Sequence, residues 1–203
     1  MKNLFILLTA IGIYGSTQAQ SKTTMELSSG VPDKNLQSIL YFDGINVENL
    51  LLKGDGLNGK DFRILVREFR KGKLVRLDTV FNSTESIAFR IDADSLQFKV
   101  LTKEKDNNEF KMDFQFNGFF VSKKYEILPE EKGLFALKDF CGMERVKAIE
   151  LNKKIHLLSY MMPYIRKDKS MAYCEVAGSG TDPEKLYEKY AIPHYFLIEI
   201  SFQ

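Results

Sequence analysis

The chain has 203 residues, with 29 Lys and Arg against 27 Asp and Glu and a formal net charge of +2. A balance this close to neutral, with both signs interspersed, carries no electrostatic footprint for nucleic acid or for an anionic membrane. Composition is otherwise that of an ordinary globular protein, apart from 16 Phe and no Trp.

Residues 1–19 read as a secretory signal peptide. Lys2 supplies the positive start, residues 4–13 (LFILLTAIGI) the apolar segment, and Thr17-Gln18-Ala19 the small residues before a cut at Gln20. A membrane span needs about 20 apolar residues, so the segment is too short to stay as an anchor. No cysteine follows it, which closes the lipoprotein route. The expectation is an exported protein with no membrane span in its mature chain, lying in the periplasm, at the cell surface or outside the cell.

Residues 20–35 are polar around Gly30-Val31-Pro32 and read as a flexible lead-in to one β-rich domain over 36–203. The first predicted strands are 36–42 and 47–53. The loop 53–61 carries Asp55, Asn58 and Asp61, but their spacing does not fit a calcium loop and suits a plain turn. Residues 61–81 (DFRILVREFRKGKLVRLDTVF) give the clearest pattern in the chain. Apolar and polar residues alternate on both sides of Lys71-Gly72, the mark of a hairpin. Further strands follow at 87–92, with Ile87, Phe89 and Ile91 on one face, and at 96–102. Residues 110–116 and 119–127 form a second hairpin around Asn117-Gly118. Most of the phenylalanines fall at alternating positions and are expected in the core.

The PEEKG run at 129–133 is the candidate seam between two halves. Residues 134–140 are a strand or a short helical turn; 146–151, 155–161 and 170–177 read as strands. Thr181-Asp182-Pro183-Glu184 is the one good helix start, with a capping residue, a proline for the first turn and a glutamate at capping-box spacing. That helix runs to about Tyr190 and stops before Pro193, and 194–202 closes the chain as a strand. With no strand–long helix–strand pattern, the fold class is mainly β: an antiparallel β-sandwich or open barrel with one short C-terminal helix. An oxidising compartment would join the two cysteines, Cys141 and Cys174, in one disulfide contributing roughly 3–4 kcal/mol.

The stretch Tyr173-Cys174-Glu175-Val176-Ala177-Gly178-Ser179-Gly180, with Asp182-Pro183-Glu184 and Ile192-Pro193-His194-Tyr195-Phe196, resembles small exported proteins of unknown function common in the Bacteroidota. The resemblance implies export and a lineage-restricted role, with no activity to carry over.

No catalytic constellation is visible. Gly178-Ser179-Gly180 lacks the spacing of a nucleophile elbow. His156 and His194 stand alone, without the spacings of a zinc site, and both suit strand positions. No metal or other cofactor is expected. The leading expectation is a non-enzymatic module binding a protein or cell-surface partner through Tyr164, Tyr187, Tyr190, His194 and Tyr195, since tyrosine is enriched at interfaces. A glycan- or small-ligand-binding module using the same tyrosines is the alternative, weakened by the absence of Trp; an unrecognised hydrolase comes third.

Overall fold

The structure, a computed structural model, describes residues 23–142, 144–173, 176 and 180–203. The expected signal peptide, Cys174 and Gly178-Ser179 therefore lie outside the described residues. Among those described, no helix is long and apolar enough to cross a membrane.

Two antiparallel sheets pack face to face. The first runs, in spatial order, β7 (Phe120–Glu126), β6 (Glu109–Phe116), β5 (Ser95–Glu104), β2 (Ile45–Lys53), β1 (Thr24–Ser29) and β9 (Val146–Ala148). The second runs β4 (Lys73–Asn82), β3 (Phe62–Arg70), β13 (His194–Phe202), β10 (Ile155–Met161) and β8 (Ala136–Asp139). A small ribbon, β11 (Tyr164–Ile165) with β12 (Met171–Ala172), stands apart from both. Along one side β4 is pinned to β7: Asp78 accepts from Lys123 Nζ at 3.1 Å and from the Tyr125 hydroxyl at 3.2 Å.

Period-two alternation places Phe62, Ile64 and Val66 of β3 in the core against Phe98 and Val100 of β5 and Phe110, Met112 and Phe114 of β6. Phenylalanine does fill this core. Phe110 lies 4.8 Å from Phe196 and 4.5 Å from Tyr160 between ring centres, and Phe81 lies 5.1 Å from Phe116. Phe135 and Leu137, which follow the expected seam, belong to the same core as Phe110 and Tyr125, which precede it. Residues Pro129–Glu131 are thus a 3-10 turn over one continuous core.

The β3–β4 hairpin turns where expected. Lys71 (φ 49°) and Gly72 (φ 75°) are both left-handed, the pattern of a two-residue loop matched to strand twist. A Cβ at Gly72 would also sit 3.0 Å from Tyr187 Cδ1. Gly72→Ala is therefore expected to lose about 1–2 kcal/mol. Its thermal midpoint should fall by several degrees; an unchanged midpoint would mean the turn can change type.

Three segments depart from the sequence reading. Residues Thr24–Ser29, expected as flexible lead-in, form β1, whose Met25 and Leu27 are buried against the β2 side. Two apolar residues in a polar run are enough when they alternate. Residues 36–42, expected as a strand, lie in the helix α1 (Lys34–Phe42), because the Asp33 carboxylate accepts from the backbone N–H groups of Asn35 and Leu36, both at 2.9 Å. The expected strand 87–92 is replaced by 3-10 turns at Ser83–Glu85 and Ile87–Phe89. There the Asn82 and Ser86 side chains accept from the Thr84 and Ala88 amides, so local side-chain bonds compete with a ladder.

The outer face of β3, β13 and β10 is covered by the chain between β10 and β13. Tyr164, Ala172, Val176, Leu186 and Ile192 form a second small core there with Phe69, Met161, Tyr195 and Leu197. Its short helices are a 3-10 turn, Pro183–Lys185, and α2 (Leu186–Tyr190), started by the Asp182 carboxylate accepting from Glu184 N at 3.0 Å. Of the strand expected at 170–177, the described residues show β12 at Met171–Ala172, while positions 174, 175 and 177 lie outside the described residues.

Candidate functional site

The five residues expected to meet a partner are mostly inside. Tyr195 is fully buried, its ring stacked on Phe69 at 4.9 Å and its hydroxyl donating to the Glu184 carbonyl at 2.9 Å; burial pushes that phenol up to about 12. Tyr164 is buried, with its ring 5.4 Å from that of Tyr190. Tyr187 is partly exposed and lies over Gly72, so it packs on a turn. His194 is 1% exposed. These residues build the second core and one end of the first. They do not form a contact surface.

His194 is held by two carboxylates. Its Nδ1 lies 2.8 Å from Glu131 Oε2 and its Nε2 lies 3.1 Å from Glu68 Oε1. Only the imidazolium can donate to both. Arg70 Nε donates to Glu68 at 2.7 Å, and Glu131 also accepts from Leu128 N at 2.9 Å. Burial alone would raise the Glu68 carboxyl, but the hydrogen bonds from His194 and Arg70 outweigh it and hold it below the ordinary value. Phe135 and Phe196 wall the group. It ties β3, β13 and the Pro129–Glu131 turn together.

A second polar cluster lies on the outer face of the same sheet. A register shift between His156 and Leu158 in β10 puts both Leu157 and Leu158 in the main core and turns His156 outward, opposite Glu199. Arg67 forks across Glu184, with one bond at 3.1 Å and another shorter, and also reaches Glu199 at 3.2 Å. Lys154 Nζ lies 2.5 Å from Glu184 and 3.5 Å from Glu199. The Arg67 and Lys154 bonds bring the Glu184 carboxyl down to about 2. Glu199 is fully buried; burial raises its carboxyl, but His156, Lys154 and Arg67 together bring it below the ordinary value. His156 Nδ1 comes within 3.0 Å of Glu199 Oε1 without the alignment of a hydrogen bond, and Glu199 Oε2 has no hydrogen-bond partner among the described residues.

Ligand atoms of His156, Glu184 and Glu199 lie within 4.8 Å of one another, the donor set of a divalent-cation site. Two cations already neutralise the two carboxylates, so an added ion would have to expel Lys154. The cluster is complete as an ion-pair latch holding the Pro183–Lys185 turn onto the sheet. Beside it opens a cleft of about 600 Å³ whose walls include Phe140, Cys141, Lys147, His156, Thr181 and Pro183. Cys141 is a free thiol, so the expected Cys141–Cys174 bridge is not formed in this structure. Burial pushes that thiol up to about 11, which leaves it protonated at neutral pH and a poor nucleophile.

Comparison with known proteins finds no match: no family model, no curated protein and no solved structure. Function rests on the geometry alone.

The surface that the sequence reading missed is α1. This nine-residue helix connects β1 to β2 and has no buried residue. Leu36, Ile39 and Phe42 recur every three residues along one side, with Ile39 63% and Phe42 94% exposed, and Tyr41 flanks them at 82%. Of the remaining helix positions, Leu40 is partly buried, and Lys34, Asn35, Gln37 and Ser38 carry one charge between them. The helix is anchored by Gln37 Oε1, which accepts from Val31 N at 2.8 Å, and by the Asp43–Lys103 ion pair at 2.5 Å just past its end.

Proposed function

We propose that the protein is an exported, non-enzymatic binding domain that engages a protein partner through α1. The observation that carries this reading is a capped helix that leaves Leu36, Ile39, Tyr41 and Phe42 exposed to solvent, with Leu40 partly covered. A helix of this length is marginal in water and draws its stability from an apolar face packed on something. Here the body of the protein does not cover that face. Exposed aromatic and aliphatic side chains in one patch mark an interaction surface. An amphipathic helix of this kind fits an apolar groove on another protein, read at positions spaced by three and four residues.

A lipid surface suits α1 less well. Interfacial helices carry Lys and Arg along their polar side, whereas α1 has Lys34 alone, between Asp33 and Asp43.

The test is a photo-crosslinking amino acid placed at Phe42, with Ile87 as an exposed apolar control on a different segment. A discrete protein adduct from position 42 only, lost on Ile39→Asp and re-formed with the purified adduct protein, is the expected result. Ile39→Asp itself should leave stability within about 0.5 kcal/mol, because the side chain touches little of its own chain. Equal adducts from both positions would sink the reading. So would co-sedimentation of the wild type, but not Ile39→Asp, with phosphatidylcholine vesicles.

A further inference from the structure

At the end of the sandwich away from His194, the phenylalanines do not close over one another. A cleft of about 570 Å³ opens between the Ile87–Phe89 turn and the paired ends of β5 and β6. Its floor is the buried pair Phe62 and Phe98, and its walls are Phe89, Phe116 and Phe119, which stay only partly buried. Phe116 and Phe119 are stacked at 4.6 Å and Phe89 lies 5.0 Å from Phe119. The three rings thus form one connected aromatic cluster lining the cleft. A core that could close would remove these faces from water, since interiors otherwise pack to crystal density.

Three features define what would fit. The volume is that of a site for one small molecule, within the roughly 300–1,000 Å³ of such clefts. The rim is electrically balanced: Arg90 is spent on Asp61 at 2.8 Å, and Lys99 and Asp92 add one charge of each sign. The other polar groups lining it are the Ser95 hydroxyl and the amides of Gln97, Gln115 and Asn117, which both donate and accept.

We infer that this cleft binds an uncharged, flat, largely apolar molecule, an aromatic or fused-ring compound with one or two hydroxyl or carbonyl groups. Its rings stack against Phe89, Phe116 and Phe119, and its polar group meets the amide rim. The site is separate from α1 in sequence and in residues, and it needs no catalytic chemistry.

Nile red, a neutral fused-ring dye that brightens in apolar surroundings, is the probe. Fluorescence titration of the intact protein should give saturable binding of one dye per chain. Ala88→Trp and, independently, Gln97→Trp change exposed residues that line the cleft, and each should obstruct its mouth. Each is expected to weaken dye binding at least about tenfold with an unchanged circular dichroism spectrum. Phe42→Asp, which alters α1 only, should leave binding unchanged. Absence of saturable binding overturns the inference. So does equal binding by both Trp variants, or loss of binding in Phe42→Asp alone, which would place the dye on the helix.

Discussion

Replacing His194 by alanine is expected to cost about 3–5 kcal/mol. Among the described residues, His194 is the group that bonds both Glu68 and Glu131. Without it Arg70 still serves Glu68, but Glu131 keeps only the Leu128 amide, and both carboxylates stay almost fully buried. The penalty is that of an uncompensated buried charge, more than that of the lost ring contacts with Phe135 and Phe196. The check is the urea midpoint at pH 7 for His194→Ala and for the double variant His194→Ala/Glu131→Gln. The double variant should recover part of the loss, because it removes the stranded charge. A single-variant loss under about 1 kcal/mol would mean that water reaches these carboxylates, and the account of a sealed ionic tie would fall.

The second large effect is that of Arg67→Ala. It should cost about 3 kcal/mol at neutral pH, chiefly by leaving the fully buried Glu199 with His156 and the more distant Lys154. It should also alter the response to acid. Glu184 has a folded value of about 2 against an ordinary 4.5, and Glu199 and Glu68 are likewise lowered. A carboxyl held below its unfolded value stabilises the fold fully above that unfolded value and loses the contribution as pH falls through the folded one. Wild-type stability should therefore decline from about pH 4.5 downward, the Glu184 part of it being exhausted near pH 2. Arg67 is the largest cause of the Glu184 shift, so Arg67→Ala should start lower at pH 7 and decline less steeply below 4.5. Denaturant midpoints at pH 7, 4.5 and 3 decide the matter. Parallel curves for the two proteins would place the acid-labile groups elsewhere.

Much of the fold was legible because its signal is local. Alternation in residues 62–70 and 73–82, and again around Asn117-Gly118, needs only neighbouring residues to be read, and those hairpins stand where expected. The single C-terminal helix was readable from Asp182-Pro183-Glu184 for the same reason. The α1 segment carried local signals too, in the Asp33 cap, the three-residue spacing of Leu36, Ile39 and Phe42, and the Asp43-Gly44 stop. Its Ile-Leu-Tyr-Phe run has high strand propensity, and over so few residues that propensity masks the helical period. The 3-10 turns at 83–89 were hidden differently: Ile87, Phe89 and Ile91 alternate like a strand, while Asn82 and Ser86 decide the backbone.

The polar clusters were beyond local reading. His194 finds Glu131 and Glu68 at separations of 63 and 126 residues, and Arg67 finds Glu184 and Glu199 at 117 and 132. Only sheet register brings such groups together. Tyrosines concentrated in the last quarter suggested a surface, yet that quarter folds back over its own sheet, and Tyr164 and Tyr195 pack inward. Exposure is a property of topology, and topology is not periodic.

The position of β13 has a consequence for how the molecule comes into being. Residues His194–Phe202 lie in the middle of their sheet, between β3 and β10, with partners far earlier in the chain. Until these residues have been synthesised, β3 and β10 have no strand between them and the main core lacks Phe196, Ile198 and Ile200. The first sheet, complete by Ala148, has no closed partner sheet to pack on until then, and contacts of such long sequence separation form slowly. Closure of the second sheet waits for β13 to enter between β3 and β10.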